Sequence, residues 1–487
     1  MAIRLTAILN LLIVSFLMLS CTNRAEVPSE YDAVGSYPSI LPDYVGVTIP
    51  CNIAPLNFLV DGKEQCVARI SYKDESHLFG DGNQVIIEPD VWRSLLSKAK
   101  DDSLKVELFG KDNGRWTAFR PFYWHVSADP VDEYVTYRLI HPSYGMYNEM
   151  SIVQRQLSSF DETVVYNNKN GGSAEADHCV NCHAFQNYDS NRFQLHVREN
   201  HGGTILYDGN TMKEVSLKRP SNPMGAAYPA WHPTQNFIAY SANQTIQHFF
   251  TTYKGKIEVQ DTKSDLVLYD VSRDEAIRVT DTPFELEVFP SWSPDGKWLY
   301  YSMANVADTT TNYVVKNYKA IRYNVYRRPF NLSIRTFGEA ELVLDASDDS
   351  VSAVLPRISP DGRWMLTSQA PYGVFHIWHP ESDLYLTNLE TRQTFPLSAA
   401  NSPQADSFHN WSSNSRWIIF TSRRMDGNYS HLYFAHVDVD GRVSKAFEMP
   451  WRNPEECLTS LWSFNVPEFS HNPIKPSSKE IFKVINN

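Results

Sequence analysis

Cysteine is scarce in this chain, with six in 487 residues, so a small disulfide-stapled scaffold is excluded. Basic runs are missing too, and the formal charge is −12 with a pI near 5.7. Affinity for nucleic acid comes mostly from Lys and Arg neutralising phosphates, so nucleic acid is not expected as a partner. No nucleophile elbow, Gly-rich phosphate loop or metalloprotease helix occurs, so nothing supports a recognisable hydrolase. Long apolar runs are absent apart from one at the N-terminus. What the chain has in quantity is aromatic side chains, 25 Phe, 26 Tyr and 12 Trp within 42% hydrophobic residues, enough for sizeable cores.

The N-terminal run, "MAIRLTAILNLLIVSFLMLSC", carries Arg4, then apolar residues from Leu5 to Leu19, then Ser20 and Cys21. This pattern is a secretory signal over 1–20 and is short for a membrane span of about 20 apolar residues. Its ending resembles a bacterial lipoprotein signal, which implies lipidation of Cys21 as the first mature residue. Residues 21–40 are polar, contain proline and lack apolar periodicity, so they read as a tether. The expected location is the cell envelope, lipid-anchored and most simply at the outer membrane, without a span.

From Thr204 onward the sequence repeats. "YPAWHPTQNFIAYSAN", "FPSWSPDGKWLYYSMA", "LPRISPDGRWMLTSQA" and "FHNWSSNSRWIIFTSR" each give a short strand, a tight polar turn and a second aromatic strand. Trp231, Trp292, Ile358 and Trp411 stand 61, 66 and 53 residues apart, spacing that suits four-stranded blades with rim insertions. In "SPDG", proline presets the turn and Gly296 or Gly362 takes the left-handed position. Further strand pairs such as "DLVLYDVSRDEAIRVT" and "DLYLTNLETRQTFPL" complete the blades, and "GTILYDGNTMKEVSL" suggests a fifth, closed by strands from "LTSLWSFNVPEFS" near the C-terminus. The prediction is an all-β chain: an N-terminal β-sandwich over 41–166, a segment over 167–202, a β-propeller of five or six blades over 203–470, and a tail over 471–487. The sandwich rests on runs such as "NQVIIEP", "LKVELFG" and "EYVTYRLIH", with one helix at "DVWRSLLSKAK". The blade repeats resemble the TolB-type propeller. The whole arrangement, with "NIAPLNF", "YRLIHP", "CVNCHAF" and "HGGT", resembles exported lipoproteins labelled TolB-like or cytochrome c biosynthesis proteins. That resemblance implies a fold and says little about activity.

Within "HCVNCHAF", Cys179, Cys182 and His183 have the spacing used for covalent attachment of one c-type haem. On a helical turn, thiols three positions apart lie on one side, and the following histidine then sits beneath the iron as proximal ligand. A redox pair or structural disulfide between the cysteines is the first alternative. Zinc held by His178, Cys179, Cys182 and His183 is the second, though neighbouring residues converge poorly on one tetrahedral ion. For the opposite face of the iron the expected ligand is His196 in "FQLHVRENHGGT", with His201 and then Met224 as alternatives. Phe193, Leu195 and Val197 alternate there with polar neighbours, and His196 falls on the polar phase. Met212 is a further downstream methionine, while Met146 and Met150 read as packing.

Two constellations are weaker. Cys51 and Cys66, 15 positions apart, can form a bridge or stay free. Asp265, Glu285 and Glu287 offer carboxylates of the kind that hydrolyse glycosides, though solvated rim charge accounts for them more simply. The expected function is a membrane-anchored extracytoplasmic monohaem cytochrome in electron transfer or haem-dependent sensing. A redox partner or envelope protein would dock near residues 178–201. The alternatives are a TolB-like binding scaffold with a structural haem or disulfide, or an enzyme using the propeller cavity.

Overall fold

The computed structural model describes residues 25–142, 145, 149–169, 178–199, 202–220 and 222–485. Cys21, Met146 and His201 lie outside them. Strands dominate, as the sequence predicts, and six blades stand among the described residues.

Each blade opens on an inner strand: His178–Gln186, Ala227–Trp231, Glu285–Trp292, Ser352–Ile358, Asp406–Trp411 and Ser463–Ser470. Successive inner strands abut one another, and the last abuts the first, closing the ring. The first blade continues through Asp189–Glu199, Gly203–Tyr207 and Met212–Val215 in simple antiparallel order. The fourth and fifth follow the same order. The hairpin turns form as the tetrapeptides dictate. Ser293, Ser359 and Ser412 each donate from Oγ to the acid or amide two residues on, at 2.6 Å in all three cases. Gly296 has φ +70°, and a Cβ there would lie 2.3 Å from the His232 ring, so glycine is required twice over.

Ring closure differs from the sequence expectation. The strand Ser463–Ser470 does not complete the blade at Gly203. It pairs antiparallel with Tyr134–Ile140, which pairs with Met150–Gln156 and then Glu162–Asn167. One blade is therefore built from both ends of the chain. Two boundaries move in consequence: residues 134–167 belong to the propeller rather than to the sandwich, and the segment over 167–202 holds the two inner strands of the first blade. The physical reason is that Tyr134–Ile140 presents Val135, Tyr137 and Ile140 to buried partners and needs a strand on its inner edge, which Phe464 and Phe469 supply with their own buried rings.

The N-terminal domain has a seven-stranded sheet around Asp102–Asp112 and a three-stranded sheet of Ile40–Leu41, Phe58–Val60 and Gln84–Val85. The helix Pro89–Lys98 buries Trp92, Leu95 and Leu96 against them. Its core is continuous with the fifth and sixth blades, where Trp417, Phe434, Phe447, Phe464 and Phe469 pack into the same cluster. Polar contacts seal this junction: Trp417 Nε1 donates to the Asp129 carbonyl at 3.0 Å, and Asn57 Nδ2 to the Arg452 carbonyl at 2.9 Å. Cys51 and Cys66 are both free. Burial pushes the Cys66 thiol up to about 12, and the Cys51 thiol lies 3.8 Å from the Ala128 carbonyl.

The first rim insertion is a long hairpin of Phe237–Phe249 and Ile257–Asp270. It reaches from the second blade across the ring, and Ile257 and Val259 pack on Ile377 and Trp378. A buried Glu258–His379 pair at 3.0 Å fixes it there. The second insertion holds the short helix Thr311–Asn317 at the edge of the third blade.

Candidate functional site

Every inner strand carries one non-glycine residue at positive φ: Cys182 (52°), Tyr228 (52°), Phe289 (56°), Leu355 (57°), Phe408 (44°) and Val466 (50°). Each coincides with a register shift against the next strand, a β-bulge. The bulges superpose the pentapeptides NCHAF, AYPAW, VFPSW, VLPRI, SFHNW and NVPEF. The cysteine motif is thus a propeller inner strand and not the helical turn that thiol spacing suggested, because it carries the same bulge and pairing as the five other inner strands.

The bulge residues ring a central cavity of about 660 Å³. Cys182, His183, Asn181, His196 and Met224 line it, together with Arg138, Arg198 and Arg357. The long hairpin contributes Asn243, Thr245 and Gln247 from above. Cys179 lies just behind the wall, buried, where its sulfur accepts from Asn181 Nδ2 at 3.2 Å. Burial is the largest influence on this thiol and raises its pKa, against the pull of Arg198 and Arg138.

His183 is buried and donates from Nε2 to the Thr136 carbonyl of the sixth blade at 3.2 Å. Burial, then the Arg138 charge, lowers its pKa to about 4, so the ring is neutral. His409 does the same thing one blade from the other end. Its Nε2 donates to the Leu355 carbonyl of the preceding blade at 2.7 Å, and burial, then Arg357, lowers its pKa to about 3. In both rings Nδ1 is buried without a partner. An inner-strand histidine therefore has a structural role in this propeller that needs no cysteine beside it.

His196 lies on the strand next to that of His183. Phe193, Leu195 and Val197 point to the sixth blade, in one cluster with Ile140, Met150 and Ile152, and His183 lies on that side with Phe185. His196 leaves the opposite face, alongside Gln194, whose Oε1 accepts from Tyr240 of the second blade at 2.6 Å. Its Nδ1 is 2.9 Å from Thr204 Oγ1, and burial, then Arg198, lowers its pKa to about 3. Strand alternation places the two side chains on different faces of the first blade, and both line the central cavity. Met150 is core, as expected, and Met212 is partly buried against the same cluster.

Among the described residues no group of three or more His, Cys, Asp or Glu is placed to hold a metal ion. The fit to a haem is divided. Cys182 on the cavity wall and the flanking guanidinium groups suit covalent attachment, whereas Cys179 does not line the cavity; His183 Nδ1, which has no partner, would be the nitrogen free to hold iron while Nε2 keeps the Thr136 carbonyl. Glu287 and Asp265 are buried outside the cavity wall, and burial raises the Glu287 carboxyl to about 7. Glu287 Oε1 and both Asp265 oxygens lack hydrogen-bond partners.

No protein-family model matches the chain, and no curated protein matches it. Among solved structures, the nidogen/laminin complex is similar at 8% identity over 68% of this chain and 97% of that one, with a TM-score of 0.39. A puromycin hydrolase mutant is similar at 11% identity over 65% of this chain and 52% of that one, TM-score 0.35. One of two prolyl endopeptidases gives 12% identity, 65% and 42% coverage and a TM-score of 0.32. Likenesses this low carry no functional argument. The class of protein, an all-β propeller, stands on the sheet topology itself.

What sequence reasoning missed is the equivalence of the cysteine strand with the other inner strands, and with it Arg138 and the ring of bulges. The signal was available, since NCHAF aligns with SFHNW at both histidine and aromatic positions.

Proposed function

We propose that the chain is an exported, lipid-anchored propeller protein that carries one covalently attached c-type haem at its central cavity and serves electron transfer or haem-dependent sensing in the cell envelope. The observation that carries the reading is the placement of Cys182 and His183 on the wall of the 660 Å³ cavity, at positions where four other blades have an ordinary residue followed by proline. A blade needs neither thiol. Cys179 and Cys182 would hold the group, and His183 would offer its unpartnered Nδ1 to the iron. A haem supplies one-electron exchange. The chain's own residues contribute apolar side chains at the bulge positions Phe289, Leu355 and Phe408, and a positive side at Arg138. A donor or acceptor protein would meet this end of the propeller, and Cys21 would hold the whole at the membrane.

A second reading is favoured by the identity of the His183 and His409 bonding patterns. If His183 serves only to join blades, the protein is a binding scaffold with two unligated thiols. The two readings separate on one experiment: the full chain is expressed with a cytochrome c maturation system, denatured and stained for haem. Retained haem that Cys182→Ala abolishes supports the first reading. A parent without haem supports the second.

A further inference from the structure

We infer that the central cavity is a carboxylate-binding site anchored by Arg138. Arg138 sits in the Tyr134–Ile140 strand, enclosed by protein except where it opens onto the cavity. It takes part in no ion pair among the described residues, and its Nε is buried without a hydrogen-bond partner. The groups that act on it electrostatically are the thiols of Cys182 and Cys179, Arg198 and Tyr228, and none is a carboxylate. Burial pulls its pKa below the ordinary guanidinium value, the direction expected of a charge without a counter-ion. A planar fork of donors that faces a cavity and has no acid partner matches the two oxygens of a carboxylate.

Other cations of the chain show what is missing. Arg424, in the fifth blade, contacts buried Asp406 at 3.1 Å, and Arg335 contacts buried Asp270 at 2.6 Å. On the same cavity wall, Arg357 has Glu468 as its largest favourable charge. Arg138 alone of these four has no carboxylate supplied by the chain. Unpartnered acceptors lie on the same cavity wall, at Asn181 Oδ1 and Asn243 Oδ1. They suit the hydroxyl or amine donors of a small polar acid.

The carboxylate can belong to a free small acid or to a propionate of the haem proposed above, and Arg138 would pair with either. The full chain made without haem maturation is titrated with succinate and with citrate by calorimetry, beside Arg138→Gln and Arg138→Lys. Binding by the parent that weakens at least tenfold in Arg138→Gln identifies a free acid. Where the parent binds neither acid, the haem-loaded protein is tested. There Arg138→Gln should keep the covalent haem and shift the propionate vibrations in the resonance Raman spectrum, which identifies the propionate. In acid-free, haem-free buffer, Arg138→Gln should melt no lower than the parent, since it removes a buried charge without a partner. A variant that melts well below the parent, or one that changes neither acid binding nor propionate vibrations, overturns the inference. Complete absence of haem would sink the haem reading alone and leave the acid titration as the test.

Discussion

Asp261 lies in the second strand of the long hairpin, buried, and its Oδ2 accepts from Asn243 Nδ2 at 3.1 Å. Burial raises its pKa from 3.8 to about 7, against the smaller pull of that hydrogen bond. The folded protein therefore holds a proton that the unfolded chain releases near pH 4. Below pH 4 both states are protonated and the group contributes nothing. Between pH 4 and 7 stability falls as pH rises, and above 7 the full cost is present. Three pKa units correspond to about 4 kcal/mol, an upper bound if the hairpin relaxes. Asp261→Asn removes the titrating group, and Asn243 Oδ1, which has no partner, offers the new amide an acceptor. Urea unfolding from pH 4.5 to 8.5 should show the variant gaining on the parent steadily up to pH 7, reaching about 2–4 kcal/mol, then running parallel. A difference that is flat with pH would refute the burial assigned to Asp261.

Other outcomes follow from the same geometry. Phe469→Ala, in the strand that closes the ring, should cost about 3–5 kcal/mol by denaturant unfolding; a loss under 1 kcal/mol would contradict the two-ended blade. In haem-free protein, His183→Ala and His409→Ala should be destabilising by similar amounts, about 1–3 kcal/mol, through the carbonyl each leaves unpaired. Glu258→Gln breaks the buried pair with His379 and should cost about 3 kcal/mol, with faster amide exchange in residues 249–257 than elsewhere. Cys21→Ala should release the protein from membranes into the soluble fraction, and continued membrane attachment would reject the lipid anchor.

The fold was legible where local chemistry sets it. Ser-Pro-Asp-Gly specifies a turn whatever surrounds it, and alternating aromatics specify the paired strands, so the second to fifth blades could be read directly. The helix at Pro89–Lys98 follows equally from its apolar spacing and the proline at its start. The sixth blade was not legible, because the pairing of Tyr134–Ile140 with Ser463–Ser470 joins segments more than 300 residues apart and no local signal marks it. At the site, the motif was visible but its conformation was not. Thiol spacing suggested a helical turn, whereas register with five other strands imposes a bulged strand. His196, on the polar phase of its strand in the sequence, lines the same cavity as His183. Arg138 was invisible because a buried cation is recognised only by the acids that fail to surround it.

The most direct test of the proposed haem is the intact mass of the full chain, produced with a cytochrome c maturation system and measured under denaturing conditions. The account predicts a species heavier than the polypeptide by one haem, lost in both Cys179→Ala and Cys182→Ala. A parent at the bare polypeptide mass, with both thiols open to alkylation, would contradict it.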